Sequence, residues 1–192
     1  MYKSLLALGL CLALGSTANA QYAGSGASGS GYGMPGNAAS GYGNETPSTA
    51  TYRNERFGFQ LAYPSEIFEP VEAPKDGQGM VFVSRDGVAQ LLVSAGRNTT
   101  GETLGSYRRF VLSKSYAKAR IDYAPVRSSW FVLSGINGDT MFYERITFRC
   151  GGRVIYGWQM TYPVAERQIY DPIVEAVHRS YRPGSGEGGA CG

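Results

Sequence analysis

The chain has 192 residues, with 18 lysines and arginines against 15 aspartates and glutamates and a formal net charge of +3. So mild an excess excludes nucleic-acid binding through a strongly basic surface. The single histidine, His178, excludes sites built from several imidazoles, and three cysteines exclude a dense disulfide framework or a four-cysteine metal site; no metal and no cofactor is expected.

Residues 1–20 read as a signal peptide. Met1-Tyr2-Lys3 carries one positive charge, Ser4 to Gly15 is an uncharged run rich in leucine and alanine, and Ala18-Asn19-Ala20 places small residues at the −3 and −1 positions of a cleavage site. The apolar run, about 12 residues, is too short for a bilayer core of ~30 Å. Cleavage after Ala20 predicts a periplasmic or secreted chain with no later transmembrane segment. Cys11 then leaves with the signal, and Cys150 and Cys191 remain. An oxidising compartment invites one disulfide between them. The competing readings are two free thiols or an intermolecular bridge.

Residues 21–51 are mostly Gly, Ser, Ala, Asn, Tyr and Thr, with the imperfect repeat Ser30-Gly31-Tyr32-Gly33 and Ser40-Gly41-Tyr42-Gly43. Such a segment buries too little apolar surface to offset its ordering entropy and is expected to be a disordered linker. Asn44-Glu45-Thr46 and Asn98-Thr99-Thr100 match the N-glycosylation pattern. Apart from Lys3, every basic residue lies between Arg53 and Arg182, which marks one domain over residues 52–183. A flexible Gly-rich tail, residues 184–192, follows.

Within the domain, the alternation of Phe57, Phe59, Leu61 and Tyr63 predicts a strand stopped by Pro64. Met80–Ser84 and Ala89–Ala95 are further strands, separated by Asp86-Gly87. Thr103–Lys118 carries apolar residues at helical intervals and predicts a helix; Arg120–Val126 is a short strand. Trp130–Ile136 and Asp139–Cys150 are strands joined at Asn137-Gly138, a dipeptide suited to a type I′ turn. Arg153–Tyr162 places Val154, Tyr156, Trp158, Met160 and Tyr162 on one face. Val164–Tyr181 is a helix with Ile169, Tyr170, Ile173, Val174, Val177 and Tyr181 on one stripe, interrupted at Pro172. Phe57, Phe59, Leu61, Leu91, Val93, Phe142, Ile146, Trp158, Ile173 and Val177 are the expected core. The fold class is α+β, a mainly antiparallel sheet flanked by helices.

The opening Arg56-Phe57-Gly58-Phe59-Gln60-Leu61-Ala62-Tyr63-Pro64-Ser65, the long hairpin, and a terminal helix leaving through Arg179-Ser180-Tyr181-Arg182 resemble the PsbP-like superfamily, which also contains a yeast Ran-binding nuclear import factor. Phe82–Gly87 and the Trp130 strand are similar to small exported proteins of Gram-negative bacteria. The resemblance spans residues 52–183. It implies an α/β/α sandwich and an accessory binding role, and it carries no metal or partner motif onto this chain.

The chemistry-bearing residues are few. His178 shares its helix with Asp171, Glu175 and Arg182, an arrangement that predicts a solvated helix face; alanine there is expected to cost about 0.5 kcal/mol or less. No Gly-x-Ser-x-Gly elbow and no phosphate-binding loop occurs. Glu55, Glu66, Glu69 and Glu72 bunch around the first strand without a paired-acid pattern. Arg108, Arg109, Lys114, Lys118 and Arg120 form a run without an intervening acid, and Arg145, Arg149 and Arg153 recur around the hairpin. These cations point to an anionic partner, either an envelope protein or an anionic envelope surface. The expected function is a non-enzymatic accessory or binding domain of the cell envelope; the alternative is a hydrolase or other envelope enzyme of unrecognised type.

Overall fold

The computed structural model describes residues 48–73, 76–189 and 191; the expected signal peptide, and the linker as far as residue 47, lie outside the described residues. Strand β1 is Thr49–Arg53, β2 Gln60–Pro64, β3 Phe68–Glu72, β4 Gly79–Ser84 and β5 Gln90–Arg97. Helix α1 is Leu104–Lys114. Strands β6 (Arg120–Tyr123), β7 (Trp130–Asn137), β8 (Thr140–Arg149) and β9 (Val154–Pro163) follow, then a 3-10 turn over Val164–Glu166 and helix α2, Arg167–Ser180. Seven strands form one antiparallel sheet in the order β3-β4-β5-β9-β8-β7-β6, and β1 pairs with β2 as a separate hairpin.

Alternation along the central strands sorts the side chains into two cores. On one face Val154, Tyr156, Trp158, Met160 and Tyr162 of β9 lie beside Leu91 and Val93 of β5 and beneath Tyr170, Ile173, Val174 and Val177 of α2. Phe57, Phe59 and Leu61, leading into and along β2, complete this layer. On the other face Phe131, Leu133, Phe142, Ile146, Phe148 and Ile155 meet Tyr107 and Val111 of α1, with Tyr116 just beyond it. Each fully buried large side chain contributes roughly 1.5–3 kcal/mol. All ten expected core residues are buried. The α+β sandwich is therefore a direct product of strands whose two faces are both apolar.

Several expectations shift in detail. The linker expected to run to Thr51 instead enters β1 at Thr49, and Tyr52 packs its ring on Phe59 and Phe82, at 5.9 and 5.7 Å. Phe57 belongs to a turn, not to a strand from Phe57 to Tyr63. Its amide donates to Asn54 Oδ1 at 2.8 Å, and pairing begins only at Gln60. Asn137 pairs with Thr140, so the two turn residues are Gly138-Asp139 and not Asn137-Gly138. Only Gly138 has positive φ, +66°, the pattern of a type II′ turn. Helix α1 stops at Lys114, four residues early. Helix α2 runs unbroken through Pro172, and Ile169, expected in its apolar stripe, is 56% exposed.

The tail expected to be flexible is fastened along the domain. Cys150 and Cys191 form a disulfide. Tyr156 Oη accepts from the Gly186 amide at 2.8 Å and donates to the Phe57 carbonyl at 3.1 Å. The Glu187 carboxylate takes Arg56 on one oxygen at 2.8 Å and Arg97 on the other at 2.6 Å; these bonds hold its pKa below the usual carboxylate range. Gly184 is required by close approach, because a Cβ there would stand 1.9 Å from the Phe57 carbonyl oxygen.

Two outcomes follow for stability. A chain beginning at Pro47 should keep the stability of the full chain, whereas one beginning at Asn54, without β1 and Tyr52, should lose about 3 kcal/mol in denaturant unfolding. Cys150→Ser should cost up to about 4 kcal/mol, because the bridge closes a 41-residue separation in the unfolded chain. An unchanged unfolding midpoint under reducing conditions would contradict this.

Candidate functional site

The structure separates the predicted cations. Arg109, Lys114 and Lys118 are exposed along α1 and the turn after it, and Arg108 is half-buried with its Nε shielded and without a hydrogen-bond partner. Among the described residues none of these four has a salt-bridge partner. Arg120 lies on β6 and is paired with Asp122 at 2.9 Å, so it does not join them as a free cation. Helix α1 is closed at its start by a capping box, in which Thr103 Oγ1 accepts from the Ser106 amide at 3.1 Å and Ser106 Oγ accepts from the Thr103 amide at 2.9 Å.

Beside that helix start, where β8 turns into β9, a cleft of about 810 Å3 opens. Its walls are Glu102–Leu104, Ser128–Ser129 and the Phe148–Arg153 segment, with Cys191 at the margin. Arg153 is anchored to the cleft wall by donating to the carbonyls of Cys150 and Cys191. Asn98 clamps the rim. Its Nδ2 donates to the Glu102 and Gly152 carbonyls at 2.7 and 2.8 Å, and its Oδ1 accepts from the Glu102 amide at 2.9 Å. The amide nitrogen that an N-linked glycan would need is thus spent on the backbone. Asn44 of the other glycosylation pattern lies outside the described residues.

His178 departs most from expectation. It points at the sheet and not into solvent, and its partners come from β8 instead of its own helix. Tyr143 Oη lies 2.7 Å from Nδ1 and Arg145 Nη1 3.3 Å from Nε2. A guanidinium only donates, so Nε2 accepts and Nδ1 carries the hydrogen given to Tyr143. Burial, then the positive charges of Arg145 and Arg179, lower the His178 pKa and keep the ring neutral. Arg145 in turn stacks over Trp130 at 4.6 Å and lies near the Tyr181 ring at 5.8 Å, and Arg127 lies over the same Trp130 ring at 5.8 Å. Tyr143 stacks on Trp158, which with Tyr181 forms the buried floor. No spacing within α2 announces this cluster; its signal was the cation-aromatic content of β7 and β8.

On the opposite face of β8, Glu144 is buried among Leu133, Tyr116 and Gln159. Gln159 Nε2 donates to Tyr116 Oη at 2.8 Å, while Glu144 Oε2 is shielded and has no hydrogen-bond partner. Burial pushes the Glu144 carboxyl up to about 7 against the opposing pull of the Tyr116 hydroxyl. Among the described residues no three His, Cys, Asp or Glu side chains converge to hold a metal ion.

No protein-family model matches the chain, and no curated protein matches it in sequence. Among solved structures it is similar to the cyanobacterial PsbP of Synechocystis sp. PCC 6803, with a TM-score of 0.55 and 16% identity over 73% of this chain and 95% of that one. It also aligns with the Ran-binding protein Mog1p of Saccharomyces cerevisiae, with a TM-score of 0.47 and 9% identity over 72% of this chain and 96% of that one. The chain has the PsbP-like α+β fold. At such identities the likeness extends to the fold and not to the function.

Half-buried His178 and buried Glu144 should give opposite pH slopes. His178, with its folded pKa lowered, contributes stability that is complete above 6.5 and declines as pH falls through that value. Glu144, with its folded pKa raised, contributes stability that is complete below 4.5 and lost as pH rises from 4.5 to about 7. Glu144→Gln should remove the second slope and leave the protein more stable above pH 7, by on the order of 1–3 kcal/mol. His178→Ala should cost about 1–2 kcal/mol, more than a solvated position would, because Tyr143 and Arg145 lose their partner. Urea unfolding across pH 4–9 reads both.

Proposed function

We propose that this domain of PsbP-like fold is an exported, non-enzymatic accessory domain of the cell envelope that works by binding, through protein contacts or an anionic surface. The observation that carries this reading is how the charged groups are used. Arg108, Arg109, Lys114 and Lys118 around α1, Arg149 and Arg153 at the cleft, and Arg127 and Arg145 on the other face have no carboxylate partner among the described residues. The groups that acid-base or nucleophilic chemistry would use are instead engaged. His178 is bonded on both nitrogens, Glu144 is sealed beneath α1, and Cys150 is bridged. Unpaired surface cations favour encounter with a negatively charged partner. Export is supported by the signal-like residues 1–20 and by a disulfide that needs an oxidising compartment to persist.

Mass spectrometry of the protein from its native cell should find an N-terminus at Gln21; a retained Met1 would overturn export. The purified mature chain should bind at least one of three anionic probes, namely phosphatidylglycerol vesicles, peptidoglycan or a glutamate-rich peptide. Its Kd should rise with salt. Reversal of Arg108, Arg109 and Lys118 to Glu should weaken vesicle or peptidoglycan binding without unfolding the domain. Failure to bind any of the three at low salt would remove the binding reading.

A further inference from the structure

The face of the sheet that carries α2 continues past that helix onto β8, β7 and the outermost strand β6. Register places Tyr123, Ser134 and Tyr143 in one row across these strands, with Trp130, Val132 and Arg145 alongside. Tyr123 is 57% exposed; Trp130, Tyr143 and Arg145 are half-buried. Ser134 is the small residue between two tyrosines. The result is an aromatic shelf open at the sheet edge, with His178 of α2 at its inner end.

Two guanidinium groups belong to this shelf, and both lie over the ring of Trp130. A guanidinium stacked on a ring spends its flat face and keeps its edge donors, which are the atoms that grip a carboxylate. Arg127 gives one hydrogen bond, to the Val126 carbonyl at 3.0 Å, and Arg145 gives one, to His178. Arg145 Nε is shielded from solvent without any partner. Neither arginine has a carboxylate within ion-pair distance among the described residues. A half-buried cation without an acid is an unfavourable state that an incoming anion relieves.

We propose that the Arg127–Trp130–Arg145 stack and the tyrosines beside it form a docking site for an extended acidic peptide segment of a partner protein. The inference rests on the binding reading above and names its surface and the chemistry of its partner. The two guanidinium carbons are at most about 10 Å apart, and carboxylates at i and i+2 of an extended peptide, roughly 7 Å apart, reach both. An apolar residue on the same segment covers the exposed ring of Tyr123. A polysaccharide fits less well, because the guanidinium groups occupy the indole face on which a sugar ring would stack. A lipid surface fits less well too, since the exposed cations that would track headgroups lie around α1 and not here.

The test uses the full mature chain and a synthetic peptide with two glutamates at i and i+2 between leucines, beside a control peptide with glutamines in their place. The glutamate peptide should bind and shift the emission of Trp130, with Trp130→Phe removing the shift; the glutamine peptide should not bind. Arg127→Gln, at an exposed position, should weaken binding several-fold, and Arg145→Lys, which keeps the charge and loses the fork, about tenfold. Thermal unfolding establishes that each variant is folded, and Arg127→Gln keeps the test decisive if Arg145→Lys is not. Equal binding of the two peptides, or glutamate-peptide binding unchanged in the folded Arg127→Gln variant, overturns the proposal. So does binding confined to vesicles or peptidoglycan and lost on charge reversal around α1, an outcome in which the general binding reading survives.

Discussion

Strand β9 sits at the centre of the seven-stranded sheet and is covered on both faces, and the remainder of the architecture answers that constraint. Its even-numbered residues, Val154 to Tyr162, need one cover, and Ile155 on the other face needs a second. A helix on each face satisfies both. The two covers differ in kind. Helix α2 brings four buried side chains and works with the β1–β2 hairpin and the tail, which Tyr156 ties to the Phe57 turn. Helix α1 brings only Tyr107 and Val111, helped by Tyr116 beyond its end. The thinner cover lies over Glu144, so the least buttressed side of the sandwich is also the side that holds a buried carboxyl without a cation.

The parts of the fold that were legible in the sequence are those where one local rule decides. Strict alternation from Val154 to Tyr162 fixes a strand regardless of tertiary context, and the helical stripe from Tyr170 to Tyr181 does likewise. Less legible elements depend on partners distant in sequence. Strand β1, Thr-Ala-Thr-Tyr-Arg after a Gly/Ser-rich stretch, has no apolar alternation; it exists because β2 offers it an edge and Phe82 offers Tyr52 a ring. Strand β3 contains Pro70 and acids, which argue against a strand, yet it pairs with β4 at the sheet's edge, where proline is tolerated. Phe57 kept the alternation of a strand while lying in a turn, because burial and not pairing set its place. Gly-rich composition argued for a free tail, and Glu187, Tyr156 and the disulfide overrode it through contacts that composition does not carry.

The same division separates the site residues. His178 was read against neighbours at helical spacing, whereas its actual partners, Tyr143 and Arg145, are 35 and 33 residues away. Only the stacking of a helix on a sheet creates that meeting. The burial of Glu144 did have a signal in sequence: it occupies the position between Phe142 and Ile146 in a period-two apolar series that continues to Phe148. A carboxylate in that phase belongs to the core face.

Glu144 and Arg145 are adjacent in the chain and opposite in charge, and in a loop or at a helix surface they would tend to screen one another. In β8 they cannot, since successive side chains of a strand leave on opposite faces. The carboxyl enters the α1 core, where it has no cation and burial favours its neutral form. The guanidinium enters the α2 face, where it has two rings and an imidazole but no acid. A shift of one residue in the β8 register would exchange them, setting a cation among Tyr116 and Gln159 and a carboxylate beside His178. The register is held by Phe142, Ile146 and Phe148, whose burial requires this phase and no other. The hydrophobic pattern of one strand thus determines which charge is sealed in and which is offered outward, and that places the unpaired cation on the face that also carries Trp130 and Tyr123.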